Sequence, residues 1–230
     1  MILMTMLRKC HSFILLFILF STYNSFSQET DFRTRWAVEA EGELFNLLDF
    51  SVSPELRLWD NSSRFESIVI EADVSAPITK FFRFGGVYRY QYERVRLNRD
   101  KNINRMGIYA EFDTRIERLR MKYRVMYQQE YTNYTTRELG NVPESQHRHK
   151  VSFRYRRKGW DITPQFSVEM FFTIRPAWIS YQQKLRITAG AKYRLTKDIN
   201  LGLAYKFQQE YYENNPLTSH ILQTTIEFEL

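Results

Sequence analysis

The chain has 230 residues, a formal net charge of +7, one cysteine, 15 tyrosines and 18 phenylalanines. That length suits one domain, and a modest basic surplus without a recognised basic module argues against nucleic-acid binding. A lone cysteine, Cys10, excludes an internal disulfide framework and a multi-thiolate metal site.

The chain opens with Arg8 and Lys9, an apolar run from Phe13 to Phe20, and then Ser25, Phe26 and Ser27. Eight apolar residues are too few to span a bilayer, and the small-x-small ending fits a cleaved leader. Residues 1–27 are therefore expected to be a signal peptide, with residues 28–230 forming the mature domain. Losing Arg8 and Lys9 takes the formal charge from +7 to +5 and removes the cysteine.

Period-two alternation then predicts eleven strands: 35–45, 48–58, 65–76, 81–94, 103–114, 118–131, 147–157, 160–172, 184–195, 200–212 and 219–230. At ten to fourteen residues most of them suit a tilted membrane crossing. In the last, Leu222, Thr224, Ile226, Phe228 and Leu230 fall on one face, with Gln223, Thr225, Glu227 and Glu229 on the other. Short turns are expected at 46–47, 77–80, 115–117, 158–159 and 196–199, and longer loops at 59–64, 95–102, 132–146, 173–183 and 213–218. This alternation of turn and loop is that of a transmembrane barrel in a Gram-negative outer membrane.

The fold class expected is all-β, an antiparallel up-and-down transmembrane β-barrel. Single-chain bacterial barrels usually have an even number of strands. Eleven segments therefore imply ten to twelve strands, with twelve favoured. Either 30–35 adds a short strand, or one segment near 176–183 is misread.

Charge cost orients the faces. Arg120, Lys122 and Arg124 share a face opposite Leu119, Met121, Tyr123 and Val125. Each basic residue turned to lipid near the midplane costs roughly 2 to 4 kcal/mol, so that face should point inward. Glu39, Glu41, Glu111, Arg120, Lys122, Arg124, Arg154, Arg156, Arg186 and Arg194 are accordingly expected to form a lumenal ion-pair network. Aromatic residues near strand ends, including Phe81, Phe82, Tyr88, Tyr90, Tyr127, Tyr131, Phe171 and Phe172, are expected in interfacial girdles. A soluble lipocalin-like barrel would alternate equally, with its apolar face inside.

The run RLWDNSSRF (57–65), the turn APITKFF (76–82), GGVYRYQYER (85–94) and GAKYRLTKDINLGLAYKFQQEY (190–211) together resemble the bacterial outer-membrane proteins catalogued as domain of unknown function 2490. The resemblance implies an outer-membrane barrel over nearly all of the mature chain. It carries over no catalytic or binding residue.

Chemistry is sparse. His149 and Ser152 are three apart, and Ser219 and His220 adjacent, so each pair faces opposite sides of its strand. That separation argues against a serine–histidine lipid-modifying enzyme, and no catalytic residue, metal site or cofactor is expected. Arg94, Arg96, Arg99, Lys101 and Arg105 read as an outer loop able to meet lipopolysaccharide phosphates. The expected partners are outer-membrane lipids, lipopolysaccharide among them, and the barrel-assembly machinery, for which Phe228 and Leu230 resemble the terminal signal. Nucleic acid is not expected, and the sequence sets no oligomeric state. The leading reading is a non-enzymatic outer-membrane barrel, structural or ligand-binding, with a lumen filled by ion pairs. A narrow solute channel is the alternative, and an outer-membrane lipid-modifying enzyme, its serine and histidine brought together across strands, is the second.

Overall fold

The computed structural model describes residues 29–45, 47–95, 99–132, 143–174, 180–211 and 216–230; the expected leader lies outside them. The described residues form eleven strands: β1 (Glu29–Leu44), β2 (Leu48–Trp59), β3 (Arg64–Pro77), β4 (Phe82–Val95), β5 (Arg99–Ile116), β6 (Leu119–Thr132), β7 (Glu144–Tyr155), β8 (Ile162–Ile174), β9 (Ser180–Arg194), β10 (Ile199–Glu210) and β11 (Leu217–Glu229). They close into one all-β barrel in which each strand pairs antiparallel with its chain neighbour. The seam is different. There β1 and β11 run parallel, in register from Glu29↔Leu217 to Glu41↔Glu229.

That seam resolves the parity conflict without a twelfth strand. Residues 30–35 are the first part of β1, and β9 begins at Ser180. The favoured count of twelve gives way to eleven, because a parallel closure lets an odd number of strands complete the ring. The start of β1 therefore lies at the end of the barrel opposite Leu230, whose N–H donates to the Glu41 carbonyl at 2.8 Å.

Connections at the Leu230 end are 45–47, 78–81, 117–118, 156–161 and 195–198; those at the far end are 60–63, 96–98, 133–143, 175–179 and 211–216. The far end holds the longest, but 60–63 is as short as the turns opposite. The expected loop at 95–102 is largely strand, since Arg94↔Asp100 and Glu93↔Lys101 are ladder partners with side chains of opposite charge.

Two turns at the Leu230 end repeat one design. In 78–82 the Ile78 and Thr79 N–H groups donate to the Phe82 carbonyl at 3.0 and 3.1 Å, and the Phe81 N–H to Thr79 Oγ1 at 3.2 Å. In 195–199 the Leu195 and Thr196 N–H groups do the same to the Ile199 carbonyl, and the Asp198 N–H to Thr196 Oγ1 at 3.3 Å. Both carry Thr-Lys at the same place, the threonine hydroxyl satisfying a turn N–H. At the other end Asp60, Asn61 and Ser62 each adopt a left-handed conformation (φ 54, 55 and 62°), one that Asp and Asn tolerate best among side-chain-bearing residues. The Asn61 N–H then donates to Asp31 Oδ1 at 3.0 Å, tying this turn to the start of β1.

The polarity is inverted relative to a water-soluble domain. Trp36 (56% exposed), Met106 (56%) and Leu203 (54%) stand on the outside, on β1, β5 and β10. Glu111 (3%), Glu227 (4%) and Arg35 (6%) are buried within. Each strand alternates between these faces, so the sequence period becomes a lumen of charge inside a sleeve of apolar side chains.

Candidate functional site

Acidic and basic strands meet across the lumen wall. On β5 and β6, Lys122 Nζ lies 2.6 Å from Glu111, and Arg124 lies 2.7 Å from Glu111 and 3.8 Å from Asp73, while Arg120 pairs with Asp113. Tyr109 links this group to β3: its hydroxyl donates to Asp73 at 2.6 Å, and the Arg124 guanidinium stacks 4.0 Å above its ring. A Cβ on Gly85 would fall 2.4 Å from the same ring, so glycine there makes room for it.

Nearer the long-loop end a second layer fills the bore. Glu169 pairs with Arg148 and, at 3.3 Å, with Arg186, which also donates to Gln208 at 2.7 Å. Both guanidiniums lie over Phe171, 4.7 and 5.0 Å from its centroid. Glu55 pairs with Arg57 at 2.5 Å and Arg35 at 3.8 Å, Glu71 with Arg89, and Glu130 with Arg105. Gln128, Gln146 and Gln183 continue the layer, with Gln128 donating to Gln146 at 2.9 Å and Gln146 to Gln183 at 3.0 Å. Charges removed from water need such partners, and here nearly every carboxylate has one.

Toward the Leu230 end the packing opens into a chamber of about 500 Å³. Small lumenal residues, among them Ser51, Ser152, Ser167, Thr188, Gly202 and Ala204, leave it unfilled. Its charge is divided. Glu39 and Glu41 on β1 and Glu227 on β11 form one side, while Arg120, Lys122 and Arg124 on β6 and Lys150 and Arg154 on β7 form the other. Where Glu39↔Glu227 and Glu41↔Glu229 are ladder partners, the seam sets carboxylates side by side, and Lys192 relieves one of them at 2.5 Å from Glu227. A cavity of about 300 Å³ at the mouth shares Glu41, Arg154, Lys192 and Glu227, and adds Arg156, Arg194 and Trp160.

Of the network expected from the sequence, Glu111, Arg120, Lys122, Arg124 and Arg186 are joined in ion pairs. Glu39, Glu41 and Arg154 line the chamber with no ion pair among the described residues, and Arg156 and Arg194 are exposed at its mouth. The basic group from Arg94 to Arg105 is not one loop. Arg105 is a lumenal strand residue on Glu130, Arg99 and Lys101 belong to β5, Arg94 is the penultimate residue of β4 on the outer face, and Arg96 lies outside the described residues. Phe171 is lumenal rather than a girdle residue. Phe172 beside it faces outward, as ordinary strand alternation requires, and the irregularity in register falls on β9, where Gln183 is skipped between Gln182 and Lys184. Sequence reading missed Tyr109 and Gln128, whose lumenal parity was legible but whose neutral side chains gave no charge signal.

The histidines face outward and Ser152 and Ser219 inward, on opposite sides of their strands as the spacing required. His149 Nδ1 lies 2.8 Å from the Tyr123 hydroxyl and His220 Nδ1 2.6 Å from that of Tyr205, whereas Ser152 lines the chamber and Ser219 is fully buried. His147 stacks on Phe172 at 4.7 Å and lies 3.1 Å from His149. Ser145 on the same outer face receives the Tyr127 hydroxyl at 3.2 Å.

Among known proteins, a family described as protein of unknown function (DUF2490) matches residues 23–218. No curated protein matches. Solved structures similar to this chain include the beta domain of a Bordetella autotransporter, Brka, at 12% identity and a TM-score of 0.41, covering 74% of this chain and 77% of that one.

Proposed function

The chain belongs to the family described as protein of unknown function (DUF2490), and from that premise we propose that it is a non-enzymatic outer-membrane barrel, closed to solutes by its lumenal ion-pair layer. The observation that carries this reading is the inverted polarity. Apolar side chains from every strand are turned outward and half exposed, while carboxylates and guanidiniums are buried inside. Contiguous apolar surface around a whole girth is stable only against lipid. The soluble alternative would leave that surface in water and its charges in the core.

Closure follows from the layer around Glu169, Glu55, Glu71 and Glu130, where paired side chains from strands all round the ring meet. A continuous path would require these pairs to part, leaving charges unpaired at several kcal/mol each. Outward tyrosines bonded to asparagine, Tyr88 to Asn104 at 2.7 Å and Tyr90 to Asn102 at 2.9 Å, suit the lipid headgroup level.

Cell fractionation and planar bilayers test the two halves. The protein is expected in the detergent-requiring outer-membrane fraction, with heat-modifiable gel migration; release by periplasmic extraction would refute the placement. Purified barrels are expected to give no steady current, so reproducible single-channel steps that scale with salt would refute the closure.

A further inference from the structure

The chamber below the closed layer has one property that its paired charges do not explain. Asp49, Glu71, Asp73, Glu111, Glu169 and Glu227 each hold a cation within 4 Å. Glu39 and Glu41 hold none among the described residues, and neither do Lys150, Arg154 and Lys206 hold a carboxylate, although all five line the same space. They are not scattered. Glu39 and Glu41 stand on β1, Lys150 and Arg154 on β7, and these strands lie five positions apart one way round the ring and six the other, on opposite walls. Lys206 on β10 stands two strands from β1, near Arg35 and Arg186, and so apart from the basic wall.

Unpaired charges in a walled, poorly screened space are costly, and opposed walls of opposite sign focus a field between them. Water relieves such a site only in part; a solute with its own separated charges relieves both walls together. We propose that this chamber is a binding site for a small zwitterion, whose ammonium meets Glu39 and Glu41 and whose carboxylate meets Lys150 and Arg154 on the opposite wall. A volume of about 500 Å³ lies within the range of small-molecule sites. Serine and threonine at the walls, Ser51, Ser152 and Thr188 among them, supply hydroxyls for a peptide-like middle. Neutral or singly charged solutes would leave one wall uncompensated.

The inference rests on the closed-barrel reading for its single mouth. The folded protein in detergent, checked by heat-modifiable migration, is titrated calorimetrically with di-, tri- and tetraglycine. The same peptides are used acetylated at the amine, and again amidated at the carboxylate. At least one free peptide is expected to bind saturably, its acetylated and amidated forms about tenfold or more weaker. The double variant Glu39→Gln, Glu41→Gln is expected to bind the free peptide no better than the acetylated one, and Lys150→Met to weaken it as amidation does. Equal binding of acetylated and free peptides would make this an anion site and overturn the proposal, as would the absence of saturable binding by all three. If a variant does not fold, the blocked peptides decide on the unaltered chain. Steady conductance accompanied by the expected peptide pattern would refute closure while leaving the site intact.

Discussion

At the scale of single residues, the barrel separates positions where an atom matters from those where it does not. A Cβ on Gly190 would lie 2.5 Å from the Leu203 carbonyl oxygen and 2.8 Å from the Ala204 Cα, both backbone of the paired strand, whereas one on Gly86 would meet nothing closer than 3.7 Å. Gly190→Ala is therefore expected to destabilise the barrel by about 2 kcal/mol or more, and Gly86→Ala by less than about 0.5 kcal/mol, read from urea unfolding in lipid vesicles. The charges divide similarly. Glu111 is buried between Lys122 and Arg124, so Glu111→Gln strands two cations and is expected to cost about 3 kcal/mol. Arg64 and Asp60 form an exposed pair, and Arg64→Ala is expected to cost under about 1 kcal/mol in the same assay. Alternation made Glu111 legible as lumenal from the sequence. Its two partners were legible only as a face, because register, not period, decides which cations it meets.

At the scale of elements, strands were readable wherever charge and apolarity alternated, and misread where polar residues ran together. The basic group from Arg94 to Arg105 looks like a loop until Glu93 and Arg94 are seen as cross-strand partners of Lys101 and Asp100, which lengthens β4 and β5. The recurrence of Thr-Lys at 79–80 and 196–197 was likewise in plain view, but its meaning depends on hydrogen bonds to Phe82 and Ile199 that the sequence does not display. The seam was the least legible element, since pairing of β1 with β11 joins the two ends of the described chain. It is directly testable. Val38 and Ile226 are outward-facing ladder partners across the seam, so Val38→Cys with Ile226→Cys is expected to cross-link on oxidation. Failure to link, together with linkage of outward partners across an antiparallel pair such as Leu203 and Thr224, would contradict the parallel closure.

At the scale of the whole molecule, the sequence disclosed a barrel because one physical rule, charge inward and apolar outward, acts on every strand at once. It withheld the chamber, which arises from where small lumenal residues on different strands reach the same height. Outer-membrane barrels keep their short turns in the periplasm and their long loops outside, so the turns at 78–81 and 195–198 are expected in the periplasm and 60–63, at the end with the longest connections, outside. An epitope inserted at 60–63 is expected to be labelled on intact cells, and one at 195–198 only after the outer membrane is opened. Labelling of the second on intact cells would invert the barrel.

The parallel seam carries a consequence for how such a protein can be remodelled. The first residue of β1 and the last of β11 sit at opposite mouths, about 40 Å apart along a thirteen-residue strand. A tight turn therefore cannot join them, and circular permutation needs a linker that runs the height of the wall. Growth or loss by whole hairpins adds or removes strands in twos, which keeps the number odd and the seam parallel. Relatives that differ from this chain by hairpins would inherit the seam unchanged, and only a change of a single strand could abolish it.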